Sequence, residues 1–136
     1  MKLLLSFLSA VLISGCATGP IFSPATPPAP DKALIYIYRM SKLSGVLVPM
    51  DLEINGQERR TLPNYSYTSE YVSPGHLVLS GATRFAVSAE ISAGQTYYFK
   101  VYQVASGLVI NNRLEMVSPE VAIADLKGLR RATAEK

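Results

Sequence analysis

Ala33-Leu34-Ile35-Tyr36-Ile37-Tyr38-Arg39 is the segment on which the fold turns. Leu34, Tyr36 and Tyr38 alternate with Ala33, Ile35 and Ile37, so both faces are apolar. A strand of this kind needs cover on both sides, which predicts a central position in a sandwich.

Period two continues outward from there. Met50, Leu52 and Ile54 alternate with Asp51, Glu53 and Asn55. Asn55-Gly56 tolerates the positive φ of a type I′ hairpin turn, with Gln57 to Leu62 as the returning strand. Tyr65, Tyr67 and Tyr71 share a face of the next strand, which stops at Ser73-Pro74-Gly75 before His76 to Ser80 resumes. Phe85, Val87, Ala89 and Ile91 mark a half-buried strand ended by Ser92-Ala93-Gly94. Along Thr96 to Val104, Tyr97, Phe99 and Val101 take one side, and Tyr98, Lys100 and Tyr102 the other. Leu108, Ile110, Leu114 and Met116 are expected on the inner face of the last strand.

The period changes at Ser118-Pro119-Glu120. Ser suits the N-cap, Pro the first helical position and Glu the positive dipole end. A helix is therefore expected over residues 118–131, with Ala122, Ile123, Leu126 and Leu129 against the sheet and Glu120, Lys127 and Arg131 opposite. Gly128 costs its last turn about 1 kcal/mol relative to Ala. Seven or eight short antiparallel strands and a C-terminal helix predict an all-β fold, a small β-sandwich over residues 32–136.

Composition agrees with a single small domain. The chain has 136 residues, 49% hydrophobic and 17% charged, which excludes disorder of the whole chain and a second enzyme-sized domain. The net charge is +3, and removing residues 1–15 takes away Lys2 and leaves 12 basic against 10 acidic side chains. Arg59-Arg60 and Lys127, Arg130 and Arg131 are the basic clusters. Both read as solvated charge, the second at the negative end of the expected helix, and nucleic acid would want a concentrated stripe.

The N-terminus reads as an address. Lys2 precedes the apolar run Leu3 to Ile13, whose eleven residues reach about half of the roughly 30 Å needed to cross a bilayer core. Residues 1–15 are thus expected to be a signal peptide. Ile13-Ser14-Gly15-Cys16 resembles the lipobox of bacterial lipoproteins, which implies cleavage between Gly15 and Cys16 and lipidation of Cys16. The single cysteine has no disulfide partner, in keeping with that reading. Two or three acyl chains make a stable anchor, and Ala17 in place of Asp implies sorting to the outer membrane of a Gram-negative cell. Five of the nine prolines fall in Ala17 to Pro30, so residues 16–31 are expected to be a tether that could hold the domain roughly 40 Å from the membrane.

The order of the pieces resembles the domain-of-unknown-function 2846 family of small bacterial lipoproteins and envelope proteins. The matching residues are Ala33 to Arg39, Ile54-Asn55-Gly56, Pro74-Gly75-His76 and Ala93 to Val101. Transthyretin-like and PEGA-type β modules look similar. Arg59 to Tyr65 departs most from the family pattern. The resemblance implies fold and envelope location, and it brings no catalytic residue.

Candidate chemistry is sparse. His76 is the one imidazole, and Ser73, Ser80 and Asp51 could complete a catalytic set on paper, but there is no Gly-x-Ser-x-Gly elbow. One His and one Cys do not make a zinc site. Asp51-Leu52-Glu53-Ile54-Asn55-Gly56 begins like a calcium loop, yet its twelfth position is Leu62. Glu53, Glu70, Glu90 and Glu115 offer carboxylate pairs by number alone. Eight tyrosines are the main surplus: most are expected in packing, while Tyr98, Lys100 and Tyr102 are expected to form part of an outward contact surface. The expectation is a non-enzymatic envelope lipoprotein without cofactor, metal or nucleic acid, held to the membrane by its lipid and meeting an envelope protein partner. The alternative is a small envelope hydrolase acting on peptidoglycan or glycan, centred on His76.

Overall fold

The computed structural model describes residues 19–24, 29–40, 50–81 and 86–133. Within them the chain runs β1 (Ala33–Arg39), β2 (Met50–Ile54), β3 (Glu58–Leu62), β4 (Ser66–Val72), β5 (Gly75–Gly81), β6 (Val87–Ile91), β7 (Thr96–Ser106), β8 (Val109–Val117), α1 (Pro119–Leu126) and β9 (Arg130–Arg131). Two sheets pack into a small all-β sandwich, one ordered β8-β7-β1-β4-β9 and the other β3-β2-β5-β6. All seven residues of β1 are buried, and β1 lies at the centre of the five-stranded sheet.

Alternation along the strands builds the main core. Ile35 and Ile37 of β1, Phe99 and Val101 of β7, and Leu52, Leu77 and Leu79 of the second sheet meet between the sheets. Each such side chain contributes roughly 2 kcal/mol of burial. Arg39 shares this inner face at its end, 1% exposed, with Nη1 donating to the Leu62 carbonyl at 3.3 Å. Arg60 of β3 reaches Glu70 of β4 at 2.5 Å, an ion pair that ties the two sheets at an open edge.

A second apolar layer lies on the opposite face of the five-stranded sheet. Leu34, Tyr36, Tyr38, Tyr67 and Tyr98 pack there against Ala122 and Leu126 of α1 and against Leu129. Tyr38 donates to Asp125 Oδ2 at 2.8 Å, and Lys100 reaches the same oxygen at 2.7 Å, so one carboxylate pins the helix to two strands.

Several expectations need correction. The pairings of β1 with β7 and of β4 with β9 are parallel, so the larger sheet is mixed, and the described strands number nine. Asn55 (φ 51°) and Gly56 (φ 68°) make the predicted positive-φ turn, but pairing resumes at Ile54 opposite Glu58, which leaves Gln57 in the turn. Tyr65 sits in a turn at φ 51° instead of on β4. The helix begins as expected, with the Ser118 hydroxyl accepting from Val121 N–H, but it ends at Leu126. Gly128 then takes φ 89°, which only glycine adopts freely, and turns Arg130–Arg131 onto the edge of β4.

Ile123 is 42% exposed, because the short helix buries only the Ala122–Leu126 seam. On β8, Leu114 faces the core, whereas Met116 is exposed and Leu108 lies at the exposed tip of a hairpin whose strands outrun the opposing sheet.

Candidate functional site

The structure brings tyrosines together and pairs His76 with Glu90, but it leaves His76 without a serine or aspartate partner among those predicted. His76 Nδ1 lies 2.6 Å from Glu90 Oε1, a cross-strand pair on the exposed face of β5 and β6. Ser73 Oγ instead accepts from Lys32 Nζ at 3.0 Å, and Asp51 Oδ1 accepts from Thr61 Oγ1 at 2.9 Å. Ser80 sits opposite Glu53 in the ladder between β2 and β5. No Ser-His-Asp geometry is formed by these side chains. The other carboxylates are dispersed as well, with Glu70 on Arg60 and Glu115 accepting from Tyr102 at 3.3 Å. Among the described residues, no group of three His, Cys, Asp or Glu could hold a metal ion.

The expected outward surface divides in two. Tyr98, Lys100 and Tyr102 do share one face of β7, but that face is the one α1 covers. Tyr98 is 9% exposed and stacks on Tyr36 with ring centroids 5.4 Å apart and planes 10° from parallel. Lys100 is engaged by Asp125. Sequence alternation reports that residues share a face; it does not report that a helix lies over it.

The aromatic concentration lies one strand further on. Tyr36 of β1 and Tyr67 of β4 are neighbours at 6.1 Å, and Phe22 meets both edge-on at 5.5 and 5.6 Å. Beside them an open groove of about 330 Å³ is lined by Tyr36, Tyr67, Tyr71, Leu34, Ser23 and Arg131 among others. Tyr71 is 57% exposed, so its ring stands at the mouth while Tyr36 and Tyr67 form the floor. Burial raises the pKa of Tyr67 and of Tyr98, with Arg131 partly opposing it at Tyr67. Burial and the hydrogen bond to Asp125 raise Tyr38 further. All three hydroxyls therefore stay protonated well above neutrality. The groove thus offers ring faces for stacking, together with the Arg131 guanidinium and the Glu70 carboxylate.

Ser23 in the groove lining belongs to the segment expected to be a free tether, which docks on the domain. Gly19 N–H donates to Arg131 O at 3.1 Å, Arg131 N–H to Pro20 O at 2.9 Å and Phe22 N–H to Leu129 O at 2.8 Å. Ile21 bridges Arg130 in antiparallel fashion, so residues 19–22 run as a strap beside β9. The strap approaches so closely that a Cβ on Gly19 would collide with the Arg131 carbonyl. The signal for this docking was the apolar pair Ile21-Phe22 between Pro20 and Pro24. Proline spacing alone hid it. Gly15, Cys16 and Ala17 lie outside the described residues, and no helix among the described residues is long and apolar enough to cross a membrane.

Compared with known proteins, the chain matches no family model, no curated protein and no solved structure.

Proposed function

We propose that the chain is a lipid-anchored envelope protein whose sandwich is a non-catalytic binding module, with the tyrosine groove as its binding surface. The observation that supports this reading best is the convergence of Tyr36, Tyr67 and Tyr71 on one open groove. Tyrosine supplies contact area at a low entropic cost, and rings at the floor of a concave site are what a partner's apolar group would meet. The lipobox-like Ile13-Ser14-Gly15-Cys16 supports anchoring, and the resemblance to the domain-of-unknown-function 2846 family supports an envelope location. The partner is another envelope component that presents an apolar or ring-bearing group to the groove.

Tyr71 gives the test, because it is exposed and its removal spares the core. A photo-crosslinking aromatic residue in place of Tyr71 should capture a discrete partner in intact cells, and one in place of His76 should not. Tyr71→Ala in the otherwise unaltered protein should abolish function while leaving thermal stability unchanged. Capture from both positions alike, or full function of Tyr71→Ala, would rule out the groove as the binding surface. Loss of function in His76→Ala with the fold intact would instead favour the hydrolase reading.

A further inference from the structure

The strap changes where an anchored domain must sit. With residues 19–22 bonded along β9, the chain between a lipidated Cys16 and the folded body is three peptide steps, Cys16 to Gly19. At 3.8 Å per step this spans at most about 11 Å, far short of the tether's full extension. The β9 edge of the larger sheet is thereby held close to the leaflet that carries the anchor.

That edge is basic. Lys127, Arg130 and Arg131 are all exposed, within five residues of one another. Arg130 Nη1 donates to Gly19 O at 3.4 Å and Arg131 Nη2 to Ser69 O at 3.3 Å. Both partners are backbone carbonyls, and no carboxylate among the described residues pairs with any of the three cations. The helix stops at Leu126, so the two arginines do not serve as dipole partners at its last turn but stand on a sheet edge beside the strap.

We propose that this edge docks on the anionic lipid surface holding the anchor, with Lys127, Arg130 and Arg131 against headgroup phosphates. The inference rests on the reading of Cys16 as lipidated. Basic side chains at an anionic surface each shift the balance between docked and detached domain about fivefold. Three together shift it about a hundredfold where their contributions are independent. The strap makes this effective, since a connection of at most about 11 Å is comparable with the roughly 8 Å screening length at physiological salt. The groove, which shares Arg131, then opens next to the membrane and meets its partner there.

The test uses the mature lipidated protein in vesicles of phosphatidylcholine with or without phosphatidylglycerol. A fluorophore is placed by Thr133→Cys beside β9, and in a second protein by Val109→Cys on β8 at the opposite edge of the sheet. Quenching by a lipid bearing a headgroup nitroxide reports contact. The expected result is strong quenching at position 133 in anionic vesicles, weak quenching at position 109, and loss of the former in Lys127→Gln/Arg130→Gln/Arg131→Gln with an unchanged circular dichroism spectrum. Equal quenching at both positions, or quenching at 133 indifferent to lipid charge and to the triple substitution, overturns the docking while leaving the anchor intact. Intact-mass measurement of the same sample separates the two readings: Cys16 without lipid overturns the anchor, and the docking with it.

Discussion

Replacing Tyr38 by Phe isolates the hydroxyl that joins the sheet to the helix. Tyr38 is fully buried, and its hydroxyl donates to Asp125 Oδ2 at 2.8 Å. A hydrogen bond to a charged acceptor contributes about 1.5–3 kcal/mol. Asp125 keeps Lys100 at 2.7 Å and is part-exposed, so it is not orphaned, and the loss should fall near the low end, about 1.5–2 kcal/mol. The pH dependence gives a second, independent handle. The Tyr38 pKa is raised in the folded state, first by burial and then by Asp125, so its contribution is complete below the unfolded value of about 10 and is lost as the pH climbs above it.

At pH 11 the unfolded chain gains about 1.4 kcal/mol from ionising that one tyrosine, which the folded protein does not. Tyr38→Phe lacks this penalty. Urea denaturation followed by circular dichroism at pH 7, 9 and 11 should therefore show a gap of about 1.5–2 kcal/mol between wild type and variant that narrows to about 0.5 kcal/mol or less at pH 11. A variant as stable as wild type at pH 7, or a gap that stays constant up to pH 11, would refute the buried hydroxyl–carboxylate contact.

Phe22→Ala should cost about 2 kcal/mol, roughly half the value for a fully buried phenylalanine, because Phe22 is only partly buried against Tyr36 and Tyr67; hydrogen exchange should show faster exchange of the Phe22 and Arg131 amides. His76→Ala should change stability by no more than about 0.5 kcal/mol, since the His76–Glu90 pair is exposed, and thermal melts will show this. Asn55→Ala should destabilise by about 1–2 kcal/mol in urea melts, through the lost bond from Val78 N–H to its side chain at 2.8 Å and the cost of φ 51° in a residue with no side-chain oxygen.

Strand positions were legible because alternation is local. The two apolar faces of Ala33 to Arg39 announced a central strand, Asn55-Gly56 a hairpin, and Ser118-Pro119-Glu120 a helix start. What covers a face is not local. Nothing in Thr96 to Val104 indicates that α1 lies on Tyr98 and Lys100, nor that β7 pairs in parallel with β1. The end of the helix turned on the conformation at Gly128, where a modest propensity cost became a chain reversal once β4 offered an edge to Arg130 and Arg131. The candidate site was half legible: the tyrosine surplus pointed to it, but its location depends on Phe22 and on a strap that composition alone assigns to a spacer.

The claim on which anchoring, the closeness of the domain to the membrane and the placement of the groove all depend is the fate of Cys16. Intact-mass analysis of the protein extracted from membranes tests it most directly. The expected product is a chain that starts at Cys16, lacks residues 1–15 and carries two or three acyl chains through a diacylglyceryl thioether, with Cys16→Ser protein left unprocessed. A chain that retains Met1 to Gly15, or one with a free Cys16 thiol, would contradict it.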